Sequence, residues 1–209
     1  VFGTYSHNTG TWRNWMDIYR EQNGQAFDAK SVMRHTGPYH GYKFGADFFA
    51  SEKSTWGILV NGGHNTRNTE NTNTTFISDL ATGEPLQVLD ALSENNGYYF
   101  NNNINLNYRF DNREGITWNV DLDYGTYDIT NDTYQPNYYR DASTNDLIAE
   151  NIFETNAPTG ISIYSSKVDH ERNIWGGKLS AGLKFAYVVT DNTFDFFNVI
   201  NDESVLDLD

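Results

Sequence analysis

The chain has 209 residues, no cysteine, and 28 Asp and Glu against 14 Lys and Arg, a formal net charge of −14. That balance excludes the basic footprint of a nucleic-acid binder, and the missing thiol excludes disulfides, thiolate metal sites and cysteine nucleophiles. Hydrophobic residues are only 38%, yet aromatics reach 15%, which excludes a disordered chain.

The opening "VFGTYSHNTGTWRNWMDIYR" (1–20) reads as one long strand. In "GYKFGADFFA" (41–50), Tyr42, Phe44, Ala46 and Phe48 oppose Lys43, Gly45, Asp47 and Phe49. After a polar turn "SEKS" (51–54), "TWGILVNGGH" sets Trp56, Ile58 and Val60 against Gly57, Leu59 and Asn61. Residues 65–95 read as a long polar connection. In "GYYFNNNINLNYRF" (97–110), Phe100, Ile104, Leu106, Tyr108 and Phe110 share one face, with Asn102 as the exception. Asn101, Asn103, Asn105, Asn107 and Arg109 share the other. The turn "DNRE" (111–114) leads into "GITWNVDLDYGTY" (115–127). There Ile116, Trp118, Val120, Leu122 and Tyr124 form one apolar face, and Asp121 and Asp123 lie opposite. A second long polar connection spans 128–159. "ISIYSSKVDHE" (161–171) alternates without assigning its faces, and a turn falls near "RNIW" (172–175). "GKLSAGLKFAYVV" (177–189) alternates cleanly again. Period-two alternation is the signature of a half-buried strand, so about seven strands are predicted and no helix.

Short turns and connections of about 30 residues therefore take turns, and the latter far exceed an ordinary hairpin loop. In an up-and-down sheet, alternate connections share an edge. All short turns then lie at one edge and all long connections at the other. The strand 115–127 would be ~43 Å long, and still rise ~33 Å at a tilt of about 40°. Globular strands have a mode of about 5–6 residues.

Trp56, Trp118 and Trp175 follow or end the short turns, and Phe110 precedes one. Rings at one height form a girdle at a membrane–water interface. The expected fold is all-β: a segment of an antiparallel up-and-down transmembrane β-barrel with long strands, short periplasmic turns and long extracellular loops. Residues 1–209 would form part of one outer-membrane barrel domain, its apolar face against lipid. A soluble β-sandwich, such as a glycan-binding module, also alternates and is the competing architecture. The strand-like start without Met and the ending "ESVLDLD" read as cuts in a longer chain.

The stretches 41–62, with its G-x-D-x-F-x-x-x-K-x-T-x-G pattern from Gly45 to Gly57, 98–127 and 161–196 resemble the barrel portion of Bacteroidetes TonB-dependent receptors. The resemblance is one of strand and turn signatures. It implies a wide barrel of about 22 strands, a plug domain outside this sequence, and a TonB-type energy-coupling protein that acts through that plug. It implies active uptake of a small ligand. A passive porin or adhesion barrel is the alternative within the same fold.

The five histidines form no HxxxH or HExxH pattern, and neither a GxSxG nor a phosphate-binding loop occurs. No enzymatic activity, cofactor or metal is expected. Asn103, Asn105, Asn107 and Arg109 form a polar ladder facing the lumen, suited to a ligand, a plug or simple hydration. Asp121 and Asp123 either hold a cation or hydrate the interior. "TYQPNYYRD" (133–141) reads as an extracellular loop, with Tyr134, Tyr138, Tyr139 and Arg140 available to stack on a ligand or on one another.

Overall fold

The computed structural model describes residues 1–208. They form a single antiparallel sheet of ten strands. These are β1 (Phe2–Gln22), β2 (Gln25–Ser51), β3 (Ser54–Asp79), β4 (Pro85–Asp111), β5 (Ile116–Asp141), β6 (Leu147–Asn156), β7 (Thr159–Ile174), β8 (Gly177–Asn192), β9 (Asp195–Ile200) and β10 (Glu203–Leu206).

The first five strands pair in chain order. The far edge of β5 then takes two partners. β6 pairs with residues 132–140, and β7 with residues 116–129. β6 and β7 are thus collinear, one strand interrupted at Ala157–Pro158. Proline has no N–H for the ladder, while Ala157 N still donates to Asn131 O at 3.0 Å. β8 pairs with β7 and β9 with β6, so the next strand is interrupted at the same height. The ten segments therefore fill eight positions, seven of them long, in a meander that does not close on itself.

Strands β2 to β5 have 26 or 27 residues. At ~3.3 Å per residue they reach ~89 Å, or ~68 Å of rise at a tilt of about 40°. The two long connections expected at 65–95 and 128–159 are themselves sheet. Residues 65–79, 85–95, 128–141 and 147–156 continue the strands, and only 80–84 and 142–146 turn. The reason is chemical. Residues 65–79 are rich in Thr and Asn and 128–141 in Thr, Asn and Tyr, and Thr and Tyr favour extended backbone. Water on both faces leaves no apolar alternation to read.

The turns carry their own signatures. Asn23–Gly24, Trp175–Gly176 and Asn201–Asp202 are two-residue links with both φ angles positive, between +50° and +77°, the backbone that matches strand twist in a hairpin. The turns after Asp79 and Asp141 are one design used twice. Asp79 Oδ1 accepts from Ala81 N (3.0 Å) and Thr82 N (2.8 Å). Asp141 Oδ1 accepts from Ser143 N (2.8 Å) and Thr144 N (2.9 Å). Gly83 and Asn145 then take the left-handed position, with φ of 72° and 64°.

There is no second layer. Ala26 and Ile77 are the buried hydrophobic residues among the described ones. On the apolar face Trp56, Ile58, Leu106, Trp118 and Leu122 stay 39–47% exposed. In a sandwich that face would be covered by another sheet. Here it is bare.

Candidate functional site

Cross-strand pairs put side chains on the same face, so the register assigns both faces. Phe110 pairs with Trp118, Tyr108 with Val120, Leu106 with Leu122 and Ile104 with Tyr124. The same rows run on through Trp56, Ile58 and Val60 of β3 and Phe48, Ala46 and Phe44 of β2. They reach Val168 and Tyr164 on β7 and Leu183 and Tyr187 on β8. The stretch 161–171, whose faces its sequence leaves unassigned, resolves: Tyr164, Val168 and His170 join the apolar face, and Lys167, Asp169 and Glu171 the polar one.

On β4 the apolar face runs from Phe110 up to Phe100, ~33 Å along the strand and ~25 Å in height at the same tilt, the height of an outer-membrane apolar band. Asn102 interrupts it, yet its Oδ1 accepts from Tyr42 OH at 3.0 Å on the neighbouring face position. That contact offsets the cost of an amide in an apolar setting. At the lower border Trp56 stacks near Tyr108 (4.6 Å between centroids) and Trp118 near His170 (4.1 Å). Phe110 lies directly beside Trp118. Trp175 is at the tip of the lower turn between β7 and β8, 96% exposed, and with φ of 50° adopts a backbone that bulky residues seldom take.

Residues 108–209 match the family described as outer membrane protein beta-barrel family. This sheet is outer-membrane barrel wall. The matched region opens in the last four residues of β4 and takes in β5 to β10, and β2 to β4 extend the same register and the same apolar face. No curated protein matches the chain.

With lipid on one face of the barrel wall, the other is the lumen. The ladder expected from the sequence is assembled there. Asn107 Nδ2 donates to Asn105 Oδ1 (2.9 Å), and Asn105 Nδ2 donates to Asp123 Oδ1 (2.7 Å). Ser165 Oγ donates to Asp123 Oδ2 (2.9 Å), and Tyr127 OH to Asn103 Oδ1 (3.2 Å). Asp121 faces Lys167 in register, and Lys167 Nζ lies 2.5 Å from Asp169 Oδ2. Arg109 reaches down to Asp111, 3.5 Å away near the lower turn. The six lumen candidates therefore share one face. Asn105, Asn107, Asp123 and Ser165 form a connected network, Asn103 bonds separately to Tyr127, and Arg109 belongs to the turn.

The tyrosine stretch lies elsewhere than expected. Tyr134, Tyr138, Tyr139 and Arg140 are in β5, not at a loop tip. Alternation sends Tyr139 to the lumen side and the other three to the outer side. Arg140 Nη1 donates to Asn145 O at 3.4 Å, bracing the turn above it. Burial pushes the Tyr134 phenol above its ordinary range.

Two gatherings escape sequence reading, because both depend on register. His7, His40 and His64 stand in one row across β1, β2 and β3 on the outer face. Their rings are 4.4 and 6.1 Å apart, and Tyr5 OH lies 2.7 Å from His40 Nδ1. Among the described residues no group of His, Cys, Asp and Glu is arranged to hold a metal ion. The second gathering surrounds Arg67 on the lumen face and is taken up below. His7, His40 and His64 are 24 or more positions apart, and Arg67 is 28 or more from Trp12 and Tyr39, so spacing alone carries no signal.

Proposed function

We propose that this wall belongs to a TonB-dependent receptor of the Bacteroidetes type, which takes up a small nutrient ligand actively. The observation that supports the reading is the connected Asn107–Asn105–Asp123–Ser165 network on the lumen face of the barrel, with the Asn103–Tyr127 pair beside it. Amides and carboxylates in one hydrogen-bonded sheet offer a rigid, hydrated surface against which a plug or ligand can be exchanged. The strands overshoot the apolar band at one end only, and these tall hairpins would stand outside the cell and meet the ligand first. The tight turns at 52–53, 112–115 and 175–176 would face the periplasm. A TonB-type energy-coupling protein would act through a plug domain outside this sequence.

The test has two arms. Protease added to intact cells should cut near 80–84 or 142–146 and spare 112–115; the reverse pattern rejects the topology. Uptake of a ligand bound by the whole receptor should stop when the energy-coupling protein is deleted, while surface binding persists. Uptake that continues unchanged identifies a passive porin instead.

A further inference from the structure

A hollow of about 470 Å³ lies on the lumen face between β1, β2 and β3. Its volume is that of a small-molecule site. It arises where the sheet lacks side chains. Gly10 and Gly37 are register partners. The β2–β3 ladder skips Gly37 and Pro38, and resumes at Tyr39 and Asn65. Gly37 has φ of 154°, and a Cβ there would run into the Thr66 carbonyl oxygen. No other residue fits.

Arg67 stands in this gap. Its register partner on β4 is Gly97, and Gly37 lies against its backbone on the other side. Among the described residues its guanidinium makes no hydrogen bond and no ion pair. That is unexpected in a chain with twice as many acids as bases. Two aromatic residues line the same hollow: Trp12, 66% exposed, and Tyr39, 43% exposed, whose ring lies over Gly41 and Gly63. Asn8 and Asn65 add amides on the lower side. His35 on the upper side is held by Thr69 Oγ1, 2.8 Å from its Nδ1.

We propose that this hollow binds a small ring compound carrying a carboxylate. The planar guanidinium takes a carboxylate through two parallel hydrogen bonds. Trp12 and Tyr39 offer flat faces to the ring, and the two amides offer both donors and acceptors to its substituents. Arg67 is the one Lys or Arg lining the hollow, so a single negative charge is balanced and a phosphate dianion is not. The glycines at Gly10 and Gly37 leave the ring its space. This inference names a ligand class for the lumen and rests on the assignment of that face. Labelling of N105C by a membrane-impermeant maleimide tests that assignment separately.

The test is titration calorimetry on the whole receptor in detergent micelles, with glucuronate and benzoate as probes and glucose and benzyl alcohol as their neutral counterparts. At least one acid should bind, and about tenfold or more tighter than its neutral counterpart. R67Q should abolish that preference. G10L should abolish binding, since a side chain at Gly10 meets nothing within 4 Å and so enters the hollow without disturbing the fold. Gel mobility with and without heating verifies folding of each variant. A folded native receptor that binds neither acid overturns the proposal, as does one whose preference survives R67Q or whose binding survives G10L.

Discussion

The lower and upper halves of the sheet are built from the same strands and differ in almost everything else. Below Phe100 and Tyr42, each strand is apolar on one face and polar on the other. Above that height β3 is polar on both faces, and its Thr69, Asn71, Asn73 and Thr75 look much like Asn68, Glu70, Thr72 and Thr74 on its reverse. The hydrogen-bond ladder runs through both halves without a change of register between β4 and β5. Alternation therefore does not report that a segment is a strand. It reports that the two faces of a strand meet different media.

The sharpest way to break this comparison is to place the same charge on the outer face of each half. L106R should destabilise the barrel in a bilayer by about 2–4 kcal/mol. N68R, on the same face but above the band, should stay within about 0.5 kcal/mol of the native protein. Urea unfolding in lipid vesicles reads both. Equal effects would mean that the medium does not change between the two heights. A second, smaller effect probes the kink just above the band. G37A drives a methyl group into the β3 backbone at a positive φ and should cost about 2 kcal/mol. G10A, its register partner, should be near neutral in the same assay. A large loss from G10A would mean that the hollow is filled rather than open.

The smallest effect lies at the upper tips. Hydrogen bonds from the Thr82 and Ala81 amides hold the Asp79 carboxyl below the ordinary carboxylate range, as those from Thr144 and Ser143 do for Asp141. A carboxyl lowered in the folded state stabilises the turn above its unfolded value, near about 4, and loses that contribution as pH falls through the lower folded one. Protection against hydrogen exchange at Thr82 and Thr144, the observed rate set against the intrinsic rate at the same pH, should therefore fall on acidification into that window, and D79N should remove this pH dependence at Thr82 alone. Protection that is flat with pH would show that the carboxylates do not hold the tips.

The same contrast explains what could be read in advance. The faces of 41–48, 98–110 and 116–124 were legible because lipid and water lie on opposite sides of them. The short turns were legible at 51–54 and 111–114, whereas the third, expected at 172–175, falls at Trp175–Gly176 because β7 runs on to Ile174; Asn103, Asn105, Asn107 and Asp123 followed from parity alone. The upper hairpins were not legible, since a Thr- and Asn-rich strand wet on both sides has the composition of a loop. Tyr134 to Arg140 were misread for that reason. The His7–His40–His64 row and the surroundings of Arg67 required knowing which residue of one strand lies beside which of the next, and only the hairpin links fix that. Asn23–Gly24 between β1 and β2 sets the first register, and the five-residue turn after Asp79 sets the one between β3 and β4.

That five-residue turn, used after Asp79 and again after Asp141, makes each tall hairpin close through its own carboxylate, and each meets the wall before it through one backbone bond that any sequence can make, Leu80 N to Gly24 O and Ala142 N to Leu86 O. A wall assembled from self-closing units is modular. Copying one unit would widen the circumference by two staves and leave every existing tip intact, so pore width and tip chemistry are free to diverge independently over evolutionary time.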